Sequence, residues 1–137
     1  MAEKDKKYFE GIGRRKSAVA RVRFFPAGPG GMFKVNELDY KEYFDVERLR
    51  QSAIAPLKLL DNTLRKNAGV EVHVRGGGIM AQAEAVTLGL ARALVKQNED
   101  LKKEMRAFGY LTRDPRKVER KKFGLKKARR APQWRKR

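Results

Sequence analysis

The chain has 137 residues, with 34 Lys and Arg against 16 Asp and Glu, a formal net charge of +18 and no cysteine. An excess of that size repels itself in a compact state and calls for a polyanionic partner, nucleic acid first and an anionic membrane surface second. The missing cysteine excludes disulfides, thiolate metal sites and cysteine nucleophiles, and no apolar run approaches the roughly 18 residues of a membrane span.

The charge is unevenly placed. Arg113 to Arg137 contains 13 of the Lys and Arg residues and only two acids, Asp114 and Glu119, so +11 of the +18 sits there. The pattern predicts a short arm at residues 1–7, a body at 8–112 and an extended basic tail at 113–137. A body of that size buries one core. The first seven residues have no apolar h-region, so neither a secretory signal nor a transit peptide is expected.

In chain order, Tyr8 to Gly13 reads as an edge strand, and Arg14-Arg15-Lys16 puts three cations at a turn. From Ser17 apolar residues alternate, with Ala18, Ala20, Val22 and Phe24 on one face and Val19, Arg21, Arg23 and Phe25 on the other. Pro26 to Gly31 reads as a turn, after which Met32 to Val35 returns as the hairpin partner. Asp39 and Glu42 have capping-box spacing for a short helix. A second helix is expected from about Val46, with Leu49, Ala53, Leu57 and Leu60 inward and Pro56 breaking it.

Val70 to Val74 alternates as a strand, with Glu71 and His73 on its polar face. Gly76-Gly77-Gly78 then opens the longest helix, about Ile79 to Gln97. Its small residues Ala81, Ala85, Gly89 and Ala93 form a ridge suited to close packing, flanked by Ile79, Ala83, Val86, Leu90 and Leu94. A further helix is expected from about Glu99 to Ala107, and Asp114-Pro115 marks the end of periodic structure. This order predicts an α+β two-layer sandwich with helices on one face of a mixed sheet.

Little here is built for catalysis. His73 is the only histidine and has no positioned nucleophile. The acids Glu37, Asp39, Glu42, Asp45 and Glu47 read as helix-start charges and a solvated face rather than a metal cage. The three glycines before the long helix lack the Lys-Ser/Thr of a phosphate loop and the dinucleotide spacing; one RNA phosphate is the anion they suit. No enzyme activity, cofactor, metal or small-molecule substrate is therefore expected.

Nucleic-acid chemistry is carried by two regions. Gly13 to Val22 brings cations onto a strand, with Arg21 and Arg23 on one face, a basic stripe for phosphates. In the tail, Arg116-Lys117, Arg120-Lys121-Lys122, Lys126-Lys127, Arg129-Arg130 and Arg135-Lys136-Arg137 are spaced by Phe123, Trp134 and small residues. Aromatic rings stack on unpaired bases, and Arg both stacks and pairs with phosphate. Such a run has too little apolar area to offset its chain entropy alone, so ordering is expected on RNA.

Three blocks in this order resemble the ninth protein of the small ribosomal subunit. They are Gly13-Arg-Arg-Lys-Ser-Ala-Val-Ala-Arg-Val22, then Gly76-Gly-Gly-Ile-Met-Ala-Gln82 with Ala85, Gly89, Ala91, Arg92, Ala93 and Leu94. The third is Leu111-Thr-Arg-Asp114 with Val118-Glu-Arg-Lys-Lys122, Gly124, Ala128-Arg-Arg-Ala-Pro-Gln133 and the closing Lys136-Arg137. The resemblance implies a fold like the second domain of the fifth small-subunit protein, with a left-handed βαβ crossover where the commoner hand is right.

The resemblance also implies a structural role in the subunit head. Its partners there are small-subunit ribosomal RNA, neighbouring head proteins and, at the tail's end, peptidyl-site transfer RNA. The residues expected on ribosomal RNA are Arg14, Arg15, Lys16, Arg21, Arg23 and Arg75 in the body. In the tail they are Arg113, Arg116, Lys117, Arg120, Lys121, Lys122, Phe123, Lys126, Lys127, Arg129 and Arg130. Lys136 and Arg137 become the transfer-RNA contacts, with Arg135 a third; family members often carry a serine where Arg135 stands. The Pro26 to Gly31 turn is also longer than in compact members. A cytoplasmic or organellar ribosome is the expected location, with no membrane. Two other readings are weighed against this one. A ribonuclease P protein subunit shares the fold family and charge, and the long terminal tail discriminates against it. A small-molecule kinase of the same superfold lacks its phosphate-loop residues here.

Overall fold

The computed structural model describes residues 8–28 and 30–133. Strands β1 (Phe9–Arg15), β2 (Ala18–Phe25), β3 (Phe33–Val35) and β4 (Leu38–Asp39) come first. Helices α1 (Tyr40–Tyr43) and α2 (Glu47–Ile54), a 3-10 turn (Ala55–Leu59) and α3 (Asn62–Asn67) lead to β5 (Gly69–Arg75), α4 (Ile79–Gln97) and α5 (Leu101–Ala107). The five strands form one mixed sheet in the order β1-β2-β5-β3-β4. Only β3 and β5 pair in parallel, joined by the helical crossover. The α+β two-layer reading holds.

Period-two alternation makes the sheet two-faced. Ala18, Ala20, Val22 and Phe24 of β2 lie beside Val70, Val72 and Val74 of β5, and all are buried against the helices. Ala81, Ala85, Gly89 and Ala93 of α4 are buried as well, and the last three rest on Gly11 and Gly13 of β1. A Cβ on Gly89 would meet Val22 Cγ2 at 2.8 Å and the Gly13 nitrogen at 3.0 Å. Glycine on both sides lets helix and strand backbones touch. The outer edge of β1 is also covered by α4: Arg92 and Lys96 donate to the carbonyls of Ile12 and Glu10, each at 2.7 Å. Those carbonyls would otherwise template another strand.

Several expectations need correction. Met32 to Val35 does not pair with β2, because β5 lies between them; the hairpin is β1–β2, closed at Lys16-Ser17. Arg14 and Arg15 are therefore strand residues, and only Lys16, at φ 53°, belongs to the turn. Asp39 does cap α1, accepting from the Lys41 nitrogen at 2.9 Å, but among the described residues Glu42 makes no reciprocal bond. Ile79 is 44% exposed rather than buried, since the first turn of α4 is open to solvent. The α2 helix ends before Pro56 as expected, its path continuing as the 3-10 turn.

Strand β4 and helix α3 carry no clear sequence signal. The β3–β4 hairpin turns on Asn36 and Glu37, both at positive φ (48° and 70°), the primed-turn geometry that suits right-handed strand twist. Asn36 also extends the ladder. Its side chain donates to the Val74 carbonyl and accepts from the Val74 nitrogen, both at 2.9 Å. Replacing Asn36 with Ala leaves both groups unpaired, and we expect a loss of about 2 kcal/mol or more in urea unfolding. An unchanged midpoint would remove that bridge from the fold's energetics.

Candidate nucleic-acid interface

Three of the body cations meet at one end of the sheet. Arg14, Val19 and Arg75 occupy one cross-strand row, and Lys16 sits in the adjoining turn. The glycine loop packs against that turn, since a Cβ on Gly76 would lie 2.5 Å from the Ser17 carbonyl oxygen. Gly76 and Gly77 take positive φ, 75° and 62°, which only glycine adopts without strain. Gln82 ties the loop down by donating to the Gly76 carbonyl at 3.0 Å, and Tyr43 donates to Gln82 at 2.6 Å. Arg14, Lys16 and Arg75 are all exposed or half-exposed, with no side-chain partner among the described residues.

Arg21 and Arg23 do project together, on the sheet face away from α4, but each has company. Arg21 donates to Glu10 at 2.9 Å, and that bond is the main reason the Glu10 carboxyl lies below its ordinary pKa. The Arg23 guanidinium lies 5.1 Å from the centre of the Tyr8 ring. Strand parity adds Lys34 to this face; it stands opposite Glu71 between the buried Phe33 and Val35. Alternation alone was enough to find it.

Arg15 points the other way, into the helical layer, and its side chain is only 12% exposed. It donates to Glu84 of α4 at 2.5 Å and to the Arg116 carbonyl at 2.7 Å, and it stands 3.4 Å from Asp114. Asp114 is further gripped by Arg116, whose side chain and backbone nitrogen both donate to it. Those bonds lower the Asp114 pKa to about 2. One arginine thus joins the end of β1, the flank of α4 and the root of the tail, over a cavity of about 270 Å3.

This clamp has a direction in pH. A carboxyl with a depressed folded pKa contributes its stabilisation above its ordinary pKa and loses it as pH falls through the folded value. At neutral pH Asp114 therefore keeps its charge, its bonds to Arg116 and its ion pair with Arg15. It loses them only as pH drops from about 4 towards 2, while the Arg15 bond to the Arg116 carbonyl does not titrate. At neutral pH, Asp114→Asn should speed trypsin cleavage after Arg116 and Lys117 several-fold, with the unfolding midpoint unchanged. Equal cleavage in variant and parent would show that the clamp does not hold the root.

From residue 111 to 133 the described tail has no helix or strand. Glu119 pairs with Lys122 at 2.7 Å and Arg129 at 3.1 Å, gathering a turn that contains Gly124 at φ 81°. Both tail acids are thus already neutralised by tail cations. Arg113, Lys117, Arg120, Lys121, Lys126, Lys127 and Arg130 have no side-chain partner among the described residues. Phe123 is fully exposed and Val118 nearly so, at 86%. Arg135, Lys136 and Arg137 lie outside the described residues, as does Trp134.

Body and tail together present two basic surfaces joined at the Arg15–Asp114 root. Among the described residues no three His, Asp or Glu side chains converge on a metal position. No described helix is long and apolar enough to cross a membrane. Residues 13–137, from the sheet-end cations through the tail to the last arginine, match the family described as ribosomal protein S9/S16. The chain belongs to that family. Membership makes it a small-subunit ribosomal protein, a structural component of a ribonucleoprotein that binds ribosomal RNA in translation. The role of the family is structural rather than enzymatic. The match spans the terminal extension, the feature that separates this family from the ribonuclease P reading.

Proposed function

We propose that the protein holds small-subunit ribosomal RNA at two places and reaches peptidyl-site transfer RNA with its last residues. The body, residues 8–112, grips through Arg14, Lys16, Arg21, Arg23 and Arg75. The tail, residues 113–137, threads between RNA helices of the subunit head, beside neighbouring head proteins. Arg113, Arg116, Lys117, Arg120, Lys121, Lys122, Lys126, Lys127, Arg129 and Arg130 lie against phosphates there, and Phe123 against a base. Arg15 contributes indirectly by setting where the tail leaves the body. Lys136 and Arg137, with Arg135, meet the anticodon-stem phosphates of the transfer RNA.

The observation that carries this reading is the surplus of exposed, unpartnered tail cations in a chain whose family match runs to residue 137. Each cation placed on a phosphate releases condensed counterions, so a long basic extension binds folded RNA with little apolar contact. Deleting Arg135 to Arg137 should leave assembly into the subunit intact and weaken transfer-RNA affinity at the peptidyl site. Filter binding to reconstituted subunits measures it. Equal affinity in the deleted subunits would remove the transfer-RNA contact while leaving the ribosomal-RNA role standing.

A further inference from the structure

The face of the sheet opposite α4 carries no helix among the described residues, and its side chains are not those of a merely solvated surface. Three cross-strand rows cross β1, β2 and β5: Arg14–Val19–Arg75, Ile12–Arg21–His73 and Glu10–Arg23–Glu71. Rows on one face stand about 7 Å apart. The first two rows alternate cations with apolar side chains, and Ile12 is 41% exposed. A shallow cavity of about 270 Å3 opens between Val19, Arg21, His73 and Arg75. Both acids of these three rows lie in the third, where Glu10 is bonded to Arg21 and Glu71 stands 3.7 Å from His73.

We propose that this face receives a single-stranded segment of RNA, one unpaired base of which lies over His73 and Val19 with its phosphate beside Arg75. The proposal rests on the RNA-binding reading above and adds which surface of the body meets the RNA, and in what form. Charge decides the orientation. The phosphate goes to the Arg14–Arg75 end, which has cations and no acid, and the base spans the first two rows, where Val19 and the His73 imidazole offer a flat, half-apolar floor. An imidazole stacks on an exposed base as other aromatic rings do, and a flat sheet surface accepts splayed bases. A paired base in an A-form helix presents no such face. An acidic peptide could answer the cations, but it would leave Ile12, Val19 and the imidazole without apolar contact.

Because His73 is the only histidine, its two imidazole proton signals report on the cavity without overlap. The experiment titrates the full chain with a short oligouridylate, an A-form duplex of equal charge, and polyglutamate. The His73 signals and the Val19 methyls should shift with the single strand far more than with the duplex or polyglutamate. His73→Ala should weaken binding of the single strand about fivefold or more, the loss expected for one stacked base. Arg75→Ala should reduce the slope of log affinity against log salt by about 0.7, one phosphate on a single strand. Core valine methyls at Val22 and Val72 confirm that the variants are folded. Shifts confined to the tail would overturn the proposal and spare the RNA-binding reading. No response to any RNA would sink both, and an equal response to polyglutamate would replace RNA with a protein partner.

Discussion

Gly13→Ala should cost about 3 kcal/mol or more, enough to lower the melting temperature by more than about 12 °C. The added methyl has nowhere to go. It would fall on the carbonyl oxygen of Ala85 and lie 2.5 Å from the Gly89 nitrogen and 2.8 Å from the Ala85 carbonyl carbon. All three are backbone atoms of a 19-residue helix, so no rotamer change relieves the contact. The helix must lift from the sheet, and with it Val86, Leu90 and Leu94 leave the core. Stability of domains this size is about 5–15 kcal/mol, so the loss is a large share of the whole. Gly11→Ala meets Gly89 and Ala93 in the same way. Gly78→Ala, where nothing lies within 4 Å, should cost about 1 kcal/mol or less. Denaturation midpoints measure the series, and a Gly13 variant as stable as the Gly78 variant would mean that α4 does not rest on β1.

The helix side of that contact was legible in the sequence and the strand side was not. Ala81, Ala85, Gly89 and Ala93 recur every fourth residue, which announces a close-packed ridge without naming its partner. Gly11 and Gly13 lie some seventy residues away, and no local pattern links the two sets. The mistaken β2–β3 hairpin has the same origin. Pro26 to Gly31 is a strong turn signal, but the partner of β3 is β5, which arrives only after three helices. Locally encoded features fared better: alternation fixed the faces of β2 and β5, and the bounds of α4 follow from Gly78 and its apolar period.

Arg15 marks where reading clusters instead of parity misleads. Arg14-Arg15-Lys16 looks like one basic turn. Yet if β1 runs through Arg15, the side chain shares the inner face with Gly11 and Gly13 and must find an acid there. Glu84 and Asp114 supply it from distant parts of the chain, so the pairing is tertiary information. The cation surplus of the tail, by contrast, needed only counting. Its docked root did not follow from counting, because that depends on where β1 and α4 end in space.

Neutralising Lys117, Arg120, Lys121, Lys126, Lys127 and Arg130 to Gln should lower affinity for small-subunit ribosomal RNA about a thousandfold or more near physiological salt. The slope of log affinity against log salt should flatten by about 4 to 5, the counterions of six phosphates. These six have no side-chain partner among the described residues, so their substitution breaks nothing internal and the body should keep its melting temperature. Relief of self-repulsion would, if anything, raise it. Lys102, Lys103 and Arg106 on α5 are the control, equally exposed and half the number, on an element outside the tail. Their neutralisation should leave the slope nearly unchanged. Equal effects per charge removed in the two sets would mean that RNA responds only to net charge. A flat slope in the tail variant alone would mean that phosphates meet these particular cations, held where the Arg15–Asp114 root aims them.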